Sequence, residues 1–187
     1  MNLGNQADLE TQRCIAYALC NLAADPRRRA DIVREGGLPA LISMACSEDF
    51  NDQLAAISTL RGISSHADFR REVFLANVTE PLTIGTRANN LDIRVETAAT
   101  LCSLSINDEN KIEMALNDTL LLNLIDLLKH NHDPRVLRQA MGCLSNLSER
   151  HECHPFLRRH QIHNIVLPHF HNDDNGLCRL MEKIVIQ

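Results

Sequence analysis

The chain has 187 residues, a formal net charge of −5, one Tyr, five Phe and no Trp. That length can bury a sizeable core, and a composition led by Leu, Ala and Ile with only seven Gly and six Pro is that of an all-helical protein. The negative balance excludes a global attraction to nucleic acid or to an anionic membrane surface.

Taken in chain order, "TQRCIAYALCNLAAD" at 11–25 has helical rhythm and one broad apolar face. Asp25-Pro26 then offers an N-cap followed by Pro at the first helical position. This opens a short helix, "RRRADIVREG". Gly36-Gly37 allows a sharp corner into a more apolar helix, "LPALISMACS", and a longer one, "QLAAISTLRGISSH", follows. The same order returns as "DFRREVFLAN", "EPLTIGTRA" and "RVETAATLCSLSIND". It returns again as "NKIEMALN", "LLLNLIDLLKH" and "RVLRQAMGCLSNLSER", with Asn90, Asp118 and Asp133-Pro134 as further caps. "HPFLRRH", "IHNIVLPHF" and "LCRLMEKIVIQ" follow in the same order.

The recurrence has one period. Leu19, Leu60, Leu101 and Leu144 are spaced by 41, 41 and 43 residues, and Leu22, Ile63, Leu104 and Leu147 stand three positions later. Leu41, Leu82, Leu124 and Ile165 form a second ladder, and Ile32, Val73, Met114 and Phe156 a third. Such periods signal a repeat architecture. The expected division is a lone third helix over 1–25, three-helix repeats over 26–66, 67–107 and 108–149, and a repeat over 150–187 that is cut near its end. One unit cannot bury its apolar face alone, so stacked units are expected to form a single solenoid with a continuous core. Leu101, in a middle third helix, is expected to be fully buried.

The period, the three-helix division and the stretches "ADIVREGGLPALISMA" and "CIAYALCNLAAD" resemble armadillo repeats, as in importin-α, β-catenin and the vacuolar armadillo proteins. The family's third helix typically reads Ala-x-Trp-Ala-Leu-x-Asn-Leu. The resemblance implies an all-α, right-handed superhelix and a non-catalytic scaffold that holds a partner's peptide in a concave groove lined by third helices. Applied position by position, it implies groove rungs Arg13/Tyr17/Asn21, Leu54/Ser58/Gly62, Val95/Ala99/Ser103 and Arg138/Gly142/Asn146. Asn21 and Asn146 keep the family's Asn, whose amide can bond a peptide backbone; Gly62 and Ser103 depart from it. Without Trp, an importin-like grip on Lys and Arg stems is not expected. Arg13 and Arg138 are instead expected to meet an acidic peptide, across a small, neutral middle. The ends do not look like polar caps, so a segment of a longer solenoid is expected, or self-association through open ends near residues 7–24 and 177–186.

Competing features are weaker. Eight of nine histidines follow residue 129. Cys153-His154, with His151, His160 and His163, raises a metal-binding or enzymatic alternative, yet the spacing fits no zinc template, and no metal or other cofactor is expected. A purely structural spacer in a larger assembly is the other alternative. The run "PRRRADIVRE" is too short for a nucleic-acid stripe and lacks interleaved aromatics. No phosphate loop, G-x-S-x-G or H-E-x-x-H occurs. The seven cysteines lack a framework spacing and imply reduced thiols in a cytoplasmic or nuclear setting. "MNLGNQADLE" lacks a signal-peptide pattern, and "TLLLNLIDLL" is too short to span a bilayer.

Overall fold

A computed structural model describes residues 3–166, and among them every regular element is helical. The first helix is α1 (Leu3–Ala23). A 3-10 turn, Pro26–Arg28, runs into α2 (Arg29–Arg34), then α3 (Leu38–Ala45) and α4 (Phe50–Ser64). A second 3-10 turn, Ala67–Phe69, leads to α5 (Arg70–Leu75), α6 (Thr79–Thr86) and α7 (Leu91–Leu104). Next come α8 (Asp108–Leu116), α9 (Asp118–His130) and α10 (Pro134–Ser148). A third turn, His151–Cys153, precedes α11 (His154–Arg159) and α12 (Ile162–Val166). The chain forms two compact units, Met1–Thr100 and Leu101–Gln187.

In the first unit α3 lies against α4, and α1 packs on both. Leu41, Ile57, Leu60 and Ile63 are 0% exposed there, as are Val73 and Leu82 farther along. In the second unit α9 lies against α10, α8 packs on both, and α12 packs on α9. Leu101, Leu104, Met114, Leu124 and Leu147 are 0% exposed, so the ladder residues between the two ends are core, Leu101 included.

The ladders loosen at their ends. Leu19, Phe156 and Ile165 are half-buried, and Leu22 is 47% exposed. The physical reason at Leu22 is that α1 turns Ala16 and Ala23 inward and leaves Ile15 and Leu22 facing away. The expected third helix of the last repeat, with its exposed face at 177–186, lies outside the described residues.

Chain punctuation is local chemistry. Asp25 accepts a hydrogen bond from the Arg27 N–H at 3.0 Å, and Asp133 one from the Arg135 N–H at 2.8 Å, each with Pro at the first position. Asn90 accepts from the Asp92 and Ile93 N–H groups. Asp49 and Asn107 cap α4 and α8 in the same way. The expected cap Asp118 is corrected to Asn117, whose side chain accepts from the Leu120 N–H at 3.1 Å; Asp118 is the first helical residue.

A polar ladder accompanies the apolar ones. Arg29 Nε donates to the Ala23 carbonyl at 3.0 Å, Arg70 Nε to Ser64 at 3.2 Å and Asn110 Nδ2 to Leu104 at 3.2 Å. His154 Nε2 lies 2.9 Å from the Ser148 carbonyl, which only accepts, so this nitrogen carries the hydrogen. Each donor stands six residues after its acceptor. Each satisfies a carbonyl left open at the end of a long helix.

Candidate functional site: the exposed face of the long helices

Four-residue spacing sets each expected trio on one helix face, and none of the twelve positions is buried. In the first unit Arg13 and Asn21 of α1 are exposed, while Tyr17, Leu54, Ser58, Gly62, Val95 and Ala99 are half-buried. In the second unit Arg138 of α10 is exposed and Ser103, Gly142 and Asn146 are half-buried.

In the first unit this face carries a charge cluster that sequence reading missed. Arg13 Nε lies 2.8 Å from Asp52 Oδ2, and its Nη2 lies 3.6 Å from Asp49 Oδ2. The Tyr17 hydroxyl donates to Asp52 Oδ1 at 2.5 Å, and the guanidinium lies 5.9 Å from the Tyr17 ring centre. The Asp52 side chain is only 6% exposed; a carboxylate so enclosed requires a partner. The hydrogen bond to Asp52 raises the Tyr17 phenol above its ordinary value, with loss of water adding to it. Hydrogen bonding to Tyr17, then to Asp52, holds the Arg13 guanidinium above its own.

Arg13 is therefore the counter-ion of Asp52, with 51% of its side chain still exposed. The available signal was Asp52 itself, a carboxylate at a buried position of "NDQLAAIS".

Other rungs also have internal work. Arg29 Nη1 donates to the Gly62 carbonyl at 2.9 Å, and its guanidinium carbon lies 3.2 Å from where a Cβ on Gly62 would stand. Asn146 Nδ2 donates to Ser105 Oγ at 2.9 Å and to the Cys102 carbonyl at 3.3 Å. Its donor side is thus engaged, leaving Oδ1 as the group for a ligand N–H. A Cβ on Gly142 would lie 3.0 Å from Cys102 Sγ. Arg138 makes no hydrogen bond or ion pair with another described residue.

The Cys/His-rich stretch is dispersed into separate roles. Cys153 Sγ donates to the Lys111 carbonyl at 3.6 Å, and loss of water pushes this thiol up to about 11. His154 caps α10. His160 Nε2 lies 2.9 Å from Asp118 Oδ1, and His151 lies beside Glu152. Among the described residues no three His, Cys, Asp or Glu side chains converge to hold a metal ion. Also among them, no helix is long and apolar enough to cross a membrane.

No protein-family model matches the chain. Vacuolar protein 8 of Schizosaccharomyces pombe is 26% identical over 154 residues, covering 82% of this chain and 28% of its own length. Catenin beta of Urechis caupo is 32% identical over 110 residues, covering 58% and 13%. The chain thus spans less than a third of either curated relative. Among solved structures, computationally designed armadillo repeat proteins for modular peptide recognition match with a TM-score of 0.77 at 14% identity, over 98% of this chain and 76% of theirs. A designed armadillo repeat protein in complex with the peptide (KR)4 matches with a TM-score of 0.74 at 14% identity, over 91% and 72%.

Proposed function

Because the chain folds as an all-α armadillo-repeat solenoid, we propose that it is a non-catalytic scaffold that holds an extended peptide of a partner protein on the exposed face of its long helices. In this reading residues 1–25 supply a lone third helix, 26–66, 67–107 and 108–149 are full repeats, and 150–187 belong to a further one. The observation that carries the reading is the contrast within each long helix. Leu60, Leu101 and Leu147 are sealed in the core, while the rung positions on the same helices reach the surface. The core thereby holds the open face in place without occupying it. That a designed protein of this fold is solved with a (KR)4 peptide supports a peptide ligand.

The roles follow from what each side chain has left to offer. Arg138 selects an acidic residue, modestly and less so at high salt, because it is exposed. Ser58, Gly62 and Ala99 leave room for a ligand backbone. Asn21 in the first unit and Asn146 Oδ1 in the second each offer a bond to a ligand backbone, and Arg13 positions Asp52. The setting is the cytoplasm or nucleus, where thiols such as Cys143 stay reduced.

A short-peptide array probed with the purified chain tests this. The parent selects peptides containing an acidic residue, and Arg138→Glu binds them about fivefold more weakly, with the difference shrinking at high salt. A parent that selects no peptide overturns the scaffold reading. Equal binding by Arg138→Glu overturns the role given to Arg138.

A further inference from the structure

One stripe of α1 is open where its counterparts on the other long helices are sealed. Thr11, Ile15, Ala18 and Leu22 are spaced by 4, 3 and 4 residues, which sets them on one side of the helix. All are exposed, Ile15 at 50% and Leu22 at 47%. The ladder steps of 41, 41 and 43 residues carry Ile15 to Ala56, Thr97 and Ala140, and Leu22 to Ile63, Leu104 and Leu147, each 0% exposed. The same steps carry Ala18 to Thr59, Thr100 and Cys143, which are buried, and Thr11 to the buried Asp52. The stripe contains none of the rung positions, so it is a different side of α1 from the proposed peptide face.

The counterparts show what sits on such a stripe. Asp52 of α4 accepts from Arg13 and Tyr17 of α1. Cys143 of α10 donates to the Leu101 carbonyl of α7 at 3.6 Å. In both cases the occupant is another long helix. On α1 the apolar area of Ile15 and Leu22 stays in water, and a long helix laid on it would remove that area from solvent.

The stripe is also complementary to itself. Its spacing is that of the seam positions of a two-helix coiled coil. Laid antiparallel on α1 of a second copy, about a two-fold axis level with Ala16 and Tyr17, it sets Ile15 opposite Ala18 and Leu22 opposite Thr11. Each bulky side chain then meets a small one, as an interdigitated core requires. The nearby charged residues, Glu10 and Arg13, lie off the stripe, and its neighbours Cys14 and Asn21 are uncharged. Two copies therefore bring no like charges together in the seam.

We propose that this stripe is a self-association surface, on which α1 of a second copy packs antiparallel in an isologous contact. One helix face is smaller than the area a tight dimer buries, so the association is weak and depends on concentration. The inference does not rest on the peptide-binding reading.

Sedimentation velocity under reducing conditions, with the chain from micromolar to millimolar, tests it. The parent should pass from monomer to dimer. Ile15→Lys and Ala18→Glu each put a charge into the seam and should weaken the dimer by about fivefold or more. An equimolar mixture of the two should associate more tightly than either alone, because the introduced charges then face each other. Asp126→Lys, on exposed α9 surface, should associate like the parent. If circular dichroism shows Ile15→Lys unfolded, Leu22→Lys takes its place. A parent that stays monomeric, or a dimer that the folded lysine variant leaves intact, overturns the proposal. A mixture no tighter than its components overturns the antiparallel register.

Discussion

Among the described residues, three take a left-handed backbone: Gly36 at φ 77°, Asn77 at 66° and Gln161 at 52°. Each closes the short helix of its set, and only Gly does so without strain. Gln161→Gly should therefore stabilise the second unit by about 0.5–1 kcal/mol, and Gly36→Ala should destabilise the first by about 1 kcal/mol; urea unfolding measures both. Gly85 is constrained differently. A Cβ there would stand 2.2 Å from Thr97 Oγ1, so α6 and α7 meet only because that methyl is missing. Gly85→Ala should cost about 1–3 kcal/mol. Leu101, at 0% exposure, should lose about 2–5 kcal/mol on substitution by Ala; a loss below about 1 kcal/mol would contradict its place in the ladder.

At the scale of elements, the helix starts depend on carboxylates. Bonds from its own cap N–H groups hold Asp49 below its ordinary 3.8. Arg27 does this to Asp25, Arg135 to Asp133, and His160 to Asp118. Since these folded-state values are depressed, the unfolded chain binds more protons near the unfolded value. The stability these groups contribute is fully present above about pH 4 and is lost as pH falls through their folded values. Denaturant midpoints should hold from pH 7 to about 4.5 and then drop. Asp49→Asn keeps a cap acceptor but cannot titrate, so the drop should be shallower in this variant.

These caps were partly legible, because Asp-Pro and Asn before an apolar run are local signals that need no tertiary contact. The Arg13–Asp52 pair was not, since the residues are 39 apart and only folding brings α1 and α4 together. The carbonyl-capping ladder lay between. Arg29, Arg70, Asn110 and His154 keep the period but change chemical type, and a search for identical residues passes over them.

For the whole molecule, the apolar ladders made the fold readable, because a core repeated every 41 residues or so must appear as periodic Leu and Ile. The site was less readable, because exposed positions are not constrained by packing. Their spacing identified a face, but the partners of Arg13 and Asn146 decided which groups on it are still available. The central claim is that this face, and not the rest of the helical surface, holds the ligand. The direct measurement is the dissociation constant of an array-selected peptide for the parent, for Ser58→Glu on the long-helix face and for Asp126→Lys on α9. The account predicts at least tenfold weaker binding for Ser58→Glu and no change for Asp126→Lys. Unchanged binding by a folded Ser58→Glu, or loss confined to Asp126→Lys, would contradict it.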